Sequence, residues 1–200
     1  MIQLPGVLGA AEEVQGLCER ASFRFCFIGG VAVQRWGEPR LTQGVDLTVL
    51  TGFGQEEQYV DSLLATLSPR REDAREFALR HRVLLLRTAS GVDVDVALGA
   101  FPFEVRSVDR ASPWSWAAGH SLTTCCAEDL VVHKVFAGRD RDWADVEGIL
   151  IRQYGKLDLK LARSELQPLL ELKEQGEAMS KLGALIDTVA RRLENPVGEV

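Results

Sequence analysis

Three groups of residues in this 200-residue chain have types and spacing suited to phosphate and metal chemistry. The first is Gly29-Gly30, leading into Val31–Trp36, with Gly44-Val45-Asp46 further on. Paired glycines leave the backbone open to a phosphate, and a helix opening behind them points N–H groups and its positive dipole end at it. Asp46 stands among Val45, Leu47, Val49 and Leu50. A carboxylate in a buried strand costs free energy unless it is paired or holds a cation. The second group is Asp93-Val94-Asp95. Residues two apart share a strand face, so these carboxylates repel unless a cation or donors lie between them. The plainer alternative is the polar alternation of a solvent-facing strand. The third group, His133 to Leu150, carries Lys134, Arg139, Asp142 and Asp145. Its two acids share one helix face, leaving Val146, Ile149 and Leu150 for the inner one. The same pattern also suits an ordinary amphipathic helix with ion pairs.

The elements that must position these groups follow from periodicity and breakers. Helices are expected over Ala10–Ala21, Val31–Trp36, Gln55–Leu67, Glu72–Arg80 and Phe103–Arg110. Strands are expected over Phe23–Ile28 and Val45–Leu50, and a hairpin over Arg82–Thr88 and Val92–Leu98 through Ala89-Ser90-Gly91. Pro113–Trp116 and Ser121–Thr124 read as short edge strands. From Ala127 the pattern is helical throughout: Ala127–Ala137, Asp140–Tyr154, Leu159–Leu172 and Glu177–Leu193, punctuated by Gly138, Gly155 and Gly176. The fold class is therefore α+β, a mixed sheet flanked by helices and followed by a C-terminal helical bundle. The boundary falls between residues 1–125 and 126–200, with no Pro/Ser-rich linker, so the two parts are expected to pack together. The tail from Asn195 is expected to fray.

The glycine pair, the spacer Val31–Gln43, the strand aspartate and the later Glu128–Glu147 segment together resemble the nucleotidyltransferase-fold superfamily. Arg40-Leu41-Thr42 and the spacing Lys134, Arg139, Asp142, Asp145 are similar to its bacterial AbiEii-type, toxin-like branch. The resemblance spans Phe27 to about Gln153. It implies a nucleotidyltransferase-like sheet and in-line transfer of a nucleotidyl group from a nucleoside triphosphate, ATP or another, to an RNA end such as tRNA or to a protein hydroxyl. It implies Mg2+ on strand carboxylates: Asp46, and Asp95 with Asp93 in reserve. By the same resemblance Gly29, Gly30, Arg40, Thr42, Lys134 and Arg139 contact nucleotide, and Asp145 or Asp142 orients Lys134 or the acceptor. The catalytic set would be Asp46, Asp95, Lys134 and Asp145. Members paired with an antitoxin make such a partner an expectation too. One position departs: Gly44 stands where the family places its first acid. A second reading follows, a non-catalytic nucleotide-binding or interaction module that kept the fold. In a third, a plain globular domain, Asp46, Asp93 and Asp95 do not converge.

Bulk properties narrow the field. A net charge of −6 argues against a protein that coats DNA or RNA through bulk charge. Arg70, Arg71, Arg75, Arg80, Arg82 and Arg87 crowd one region, interleaved with Glu72, Asp73 and Glu76, and read as a solvated helix face, with a tRNA- or phosphate-facing strip as the alternative. No apolar run has the length of a membrane span, and the start lacks a basic segment before an apolar one, so a cytoplasmic location is expected. Cys18, Cys26, Cys125 and Cys126 lack zinc spacing and read as reduced, mostly buried thiols. His81, His120 and His133 read as surface or capping residues, and Trp114, Trp116 and Trp143 as packing residues.

Overall fold

A computed structural model describes residues 6–173 and 176–195. The expectation for the tail lies outside them beyond Asn195. The order is α1 (Gly6–Arg20), β1 (Phe25–Ile28), α2 (Gly29–Trp36), β2 (Gly44–Leu50), α3 (Glu56–Leu64), β3 (Ser68–Pro69), α4 (Ala74–His81), β4 (Val83–Arg87), β5 (Asp93–Gly99), α5 (Pro102–Asp109), β6 (Ser112–Ala117) and β7 (His120–Thr124). Four helices follow: α6 (Ala127–Ala137), α7 (Asp140–Arg152), α8 (Leu159–Lys173) and α9 (Glu177–Glu194). The α+β class with a helical C-terminal part is as expected.

Two compact units are formed, and they are discontinuous in sequence. One takes the described residues of Met1–Val31 with Leu41–Cys126, the other those of Ala32–Arg40 with Ala127–Val200. The first holds a mixed sheet in the order β3-β4-β5-β2-β1-β7-β6. The strands β2 and β5 run parallel, while β1 on one side and β4 on the other are antiparallel to them. This central placement explains the near-continuous apolar run of β2, whose Val45, Leu47 and Val49 are buried with Val94, Val96 and Leu98 of β5. Phe27, Leu84, Leu86 and Val14 of α1 complete the same core.

One strand is added to the expected elements and two local readings are corrected. Ser68-Pro69 forms a short strand at the sheet edge, where a proline's missing N–H costs no ladder bond. β7 is interior, lying between β1 and β6, because it pairs with β1 in parallel. The arginine run is not one helix face. Arg71 pairs with Asp73, Arg75 with Asp61 and Glu57, Arg82 with Glu56, and Arg87 with Asp93.

In the second unit α6 packs on α7 and α8, and α9 packs on α7 and α8. Gly138, at φ 71°, closes α6 with its N–H on the Lys134 carbonyl and turns the chain into α7. Residues 32–40 join this unit closely: the Arg152 guanidinium donates to the Gly37 carbonyl, and the Gln153 amide to the Trp36 carbonyl at 3.0 Å. Gly148 approaches the Glu38 backbone so closely that a Cβ there would lie 3.1 Å from the Glu38 nitrogen.

Candidate functional site

The sheet unit gathers the first two groups on one face. Gly29 and Gly30 are not a turn before a helix but the first residues of α2 itself. Gly29 has φ +56°, and a Cβ on it would overlap the Asp46 carboxylate, 2.7 Å from Cγ. A Cβ on Gly30 would lie 2.9 Å from the Thr42 Cβ and closer still to its hydroxyl. The antiparallel pairing of Ile28 with Asp46 brings these groups together. Both glycines are therefore required by side chains of this chain, whatever else approaches them. The Asp46 carboxylate sits at the N-terminal end of α2, where the helix dipole favours negative charge. Thr42 donates its hydroxyl to the Gly44 carbonyl at 3.3 Å.

Parallel pairing sets Asp46 opposite Asp95 and Gly44 opposite Asp93. All four positions share a face, since Val45, Val94 and Val96 between and beside them are buried. Arg70 answers the like-charge problem of Asp93 and Asp95. Its Nη1 lies 2.9 Å from Asp93 Oδ2, and its Nη2 bonds Asp95 Oδ1. The Arg87 Nε takes the other Asp93 oxygen at 2.7 Å. The bond from Arg87 holds the Asp93 carboxyl below its ordinary range; partial burial opposes this and the Arg70 bond reinforces it.

The helical unit holds the third group. Asp142 and Asp145 lie on one face of α7 and are both buried. The Lys134 ammonium, also buried, sits 2.9 Å from Asp142 Oδ1 and 2.8 Å from Asp145 Oδ2. Arg40 adds a two-pronged contact to Asp145, Nε to Oδ1 at 2.5 Å and Nη2 to Oδ2 at 2.7 Å. Burial pushes the Asp145 pKa up, but the bonds from Arg40 and Lys134 outweigh it and leave the carboxyl below its usual value. Asp142 also accepts the Arg139 backbone N–H at 3.3 Å, which caps α7, while the Arg139 side chain is exposed. Two cations and two anions thus meet in one cluster. Sequence reading placed Lys134, Asp142 and Asp145 together but had no signal for the pairing of Arg40 with Asp145. His133, expected at the surface or a cap, has its Nε2 buried, and burial holds its pKa down to about 4.

No protein-family model matches this chain, and no curated protein matches it in sequence. Solved structures do resemble it. An antigenic nucleotidyltransferase-like protein from Paracoccidioides brasiliensis is 14% identical over 90% of each chain, with a TM-score of 0.47. The antibiotic-resistance factor ANT(2'')-Ia, in solution, is 15% identical over 89% of this chain and 94% of its own, with a TM-score of 0.47. The lincosamide antibiotic adenylyltransferase LnuA, lincomycin-bound, is 12% identical over 68% of this chain and 92% of its own, with a TM-score of 0.45.

The side chains present decide how well a metal pair suits the sheet. Two divalent cations need several shared carboxylate oxygens. Gly44 offers none, Asp95 is engaged by Arg70, and Asp93 by Arg70 and Arg87. Among the described residues no group of three or more His, Cys, Asp or Glu side chains is disposed to hold a metal ion. The residues do not fit a pair of divalent cations on the Asp46, Asp93 and Asp95 carboxylates to which the resemblance assigns Mg2+. No helix among the described residues is long and apolar enough to cross a membrane.

Proposed function

We propose that this chain is a nucleotidyltransferase-like protein that binds a nucleoside triphosphate, and that its side chains are suited to binding rather than transfer. The observation that carries this reading is the pairing of Gly44 with Asp93 in the register that sets Asp46 beside Asp95. The frame for a carboxylate set is present, and one of its four positions has no side chain. On this reading phosphate meets the N-terminal turn of α2 at Gly29 and Gly30, with Thr42 beside it. The helical unit's Arg40 and Lys134 keep Asp145 and Asp142 as partners, and the Arg139 side chain is exposed.

A second reading is favoured by the in-register Asp46 and Asp95. It is Mg2+-dependent transfer of a nucleotidyl group to an RNA or protein hydroxyl. In that reaction the acceptor oxygen bonds to the α-phosphorus, the bond to the bridging oxygen breaks, pyrophosphate leaves, and the hydroxyl proton passes to a carboxylate. A toxin role and an antitoxin partner rest on the resemblance to the AbiEii-type branch. Growth arrest on induction in a bacterial host, relieved by Asp46→Ala, checks them.

Titrating ATP in Mg2+ and in EDTA separates the readings, together with transfer of α-labelled nucleotide to tRNA or protein by the natural chain and by Gly44→Asp. The substitution is tight: a Cβ at Gly44 would lie 3.1 Å from the Asp93 carbonyl oxygen, so the β5 backbone must give slightly to admit it, and the folded state of Gly44→Asp is checked first. The expected result is ATP binding of equal strength in both buffers, with no pyrophosphate released by the natural chain. Release of pyrophosphate by that chain in the presence of an acceptor would replace the binding reading with the transfer reading. Failure to bind ATP under either condition would remove both.

A further inference from the structure

The sheet delivers Arg70 to the strand carboxylates by backbone register. Its N–H donates to the Leu85 carbonyl at 3.0 Å, directly after the pairing of Pro69 with Leu86. Leu85 in turn pairs with Asp95. The guanidinium therefore starts beside β4 and crosses it to reach β5. An arginine suits this span, because its planar fork offers separate N–H groups to separate carboxylates, where a lysine offers one point charge. The two-residue strand β3 anchors the chain just ahead of Arg70.

The charges of the Asp93–Asp95 pair then balance locally. Asp93 and Asp95 carry two negative charges, and Arg70 and Arg87 return two positive ones. The pair keeps no net charge to draw a divalent cation. The seat of Arg70 is also not free of cost. Its Nε is buried with no hydrogen-bond partner among the described residues, and a buried unpaired donor opposes folding. The carboxylates hold the guanidinium against that cost.

We infer that Arg70 is a built-in counter-cation, seated between Asp93 and Asp95 where a divalent ion would otherwise be drawn, and that removing it uncovers a cation site on this face. This goes beyond the binding reading and does not depend on it. Divalent metal is excluded by a side chain of the chain itself, so the natural protein keeps a metal-free face while Arg70→Met acquires a metal-binding one.

The test is Mn2+ binding to the full chain by calorimetry, with thermal unfolding in Mn2+ and in NaCl of equal ionic strength. The natural chain is expected to show no saturable binding at millimolar Mn2+ and no shift in Tm. Arg70→Met, which keeps the apolar stem, is expected to bind Mn2+ at least about tenfold more tightly, as two lost ion pairs of modest strength allow. Adding Asp95→Asn to Arg70→Met should abolish the gain. Saturable Mn2+ binding by the natural chain overturns the inference, and so does a folded Arg70→Met with no gain. If Arg70→Met does not fold, Arg70→Gln carries the same comparison, and a folded Arg70→Gln with no gain in Mn2+ binding or Tm overturns the inference. An ATP arm keeps the two proposals apart: absence of ATP binding in both forms removes the nucleotide reading, and the Mn2+ result stands or falls alone.

Discussion

The carboxylate of Asp46 occupies the space that a side chain on Gly29 would fill. The relationship is steric first. Gly29 is at φ +56°, a region that disfavours any Cβ, and the added carbon would also displace Asp46. Gly29→Ala is expected to destabilise the chain by about 1–3 kcal/mol from backbone strain, more once the overlap is added. In a urea denaturation cycle, Gly29→Ala with Asp46→Ala should cost less than the sum of the single changes, since the second removes the overlapping atoms. Additive costs would mean that the two residues do not meet.

The Lys134–Asp142–Asp145–Arg40 cluster in the helical unit makes a second prediction. Asp145 is buried with two cations on its oxygens. Removing one partner from a buried ion pair leaves uncompensated charge, at a cost of about 3–5 kcal/mol. Asp145→Ala should therefore lose stability on that scale in urea, whereas Arg139→Ala, an exposed side chain on the same helix end, should change it by under about 0.5 kcal/mol. Because the Asp145 pKa is lowered, its contribution is complete above the ordinary carboxylate range near 3.8 and is lost as pH falls below it.

How much of this was legible beforehand differs by residue. Alternation along Val92–Leu98 gave the shared face of Asp93 and Asp95, since a period of two is a local property. The i,i+3 spacing gave the shared face of Asp142 and Asp145 for the same reason. Arg70 was lost in a run of arginines interleaved with acids. Only the pairing of β3 with β4 and of β4 with β5 separates it from its neighbours, and strand order is not a local property. The glycine pair was legible as a place of close approach, but what approaches was not, because Asp46 comes from the next strand. Arg40 meets Asp145 across 105 residues, beyond the reach of any periodicity.

The thiols give a third prediction. Cys18, Cys26 and Cys125 are buried and Cys126 is half-buried, and all four are thiols outside any disulfide. Burial, with Glu19 adding to it, pushes the Cys18 thiol up to about 12, so it carries almost no thiolate near neutrality. A thiol reagent should label at most Cys126 in the native chain and all four cysteines in guanidinium. Rapid native labelling of Cys18 by mass spectrometry would contradict its packing in the α1 core.

His133 supplies the sharpest pH dependence. Its pKa falls from an ordinary 6.5 to about 4, chiefly because burial disfavours the imidazolium; the Asp129 charge opposes this, and the Lys134 charge adds to it. A lowered histidine pKa means that the unfolded chain binds the proton first. Stability from the neutral ring is therefore complete above pH 6.5 and falls as pH drops from 6.5 towards 4. The shift corresponds to a loss of up to about 3 kcal/mol across that window. Urea midpoints measured between pH 7.5 and 4.5 should decline for the natural chain. His133→Gln cannot titrate, so its decline over the same range should be distinctly shallower, even if its stability at pH 7.5 is lower from imperfect packing. Equal slopes for the two proteins would show that the buried imidazole is not the titrating group.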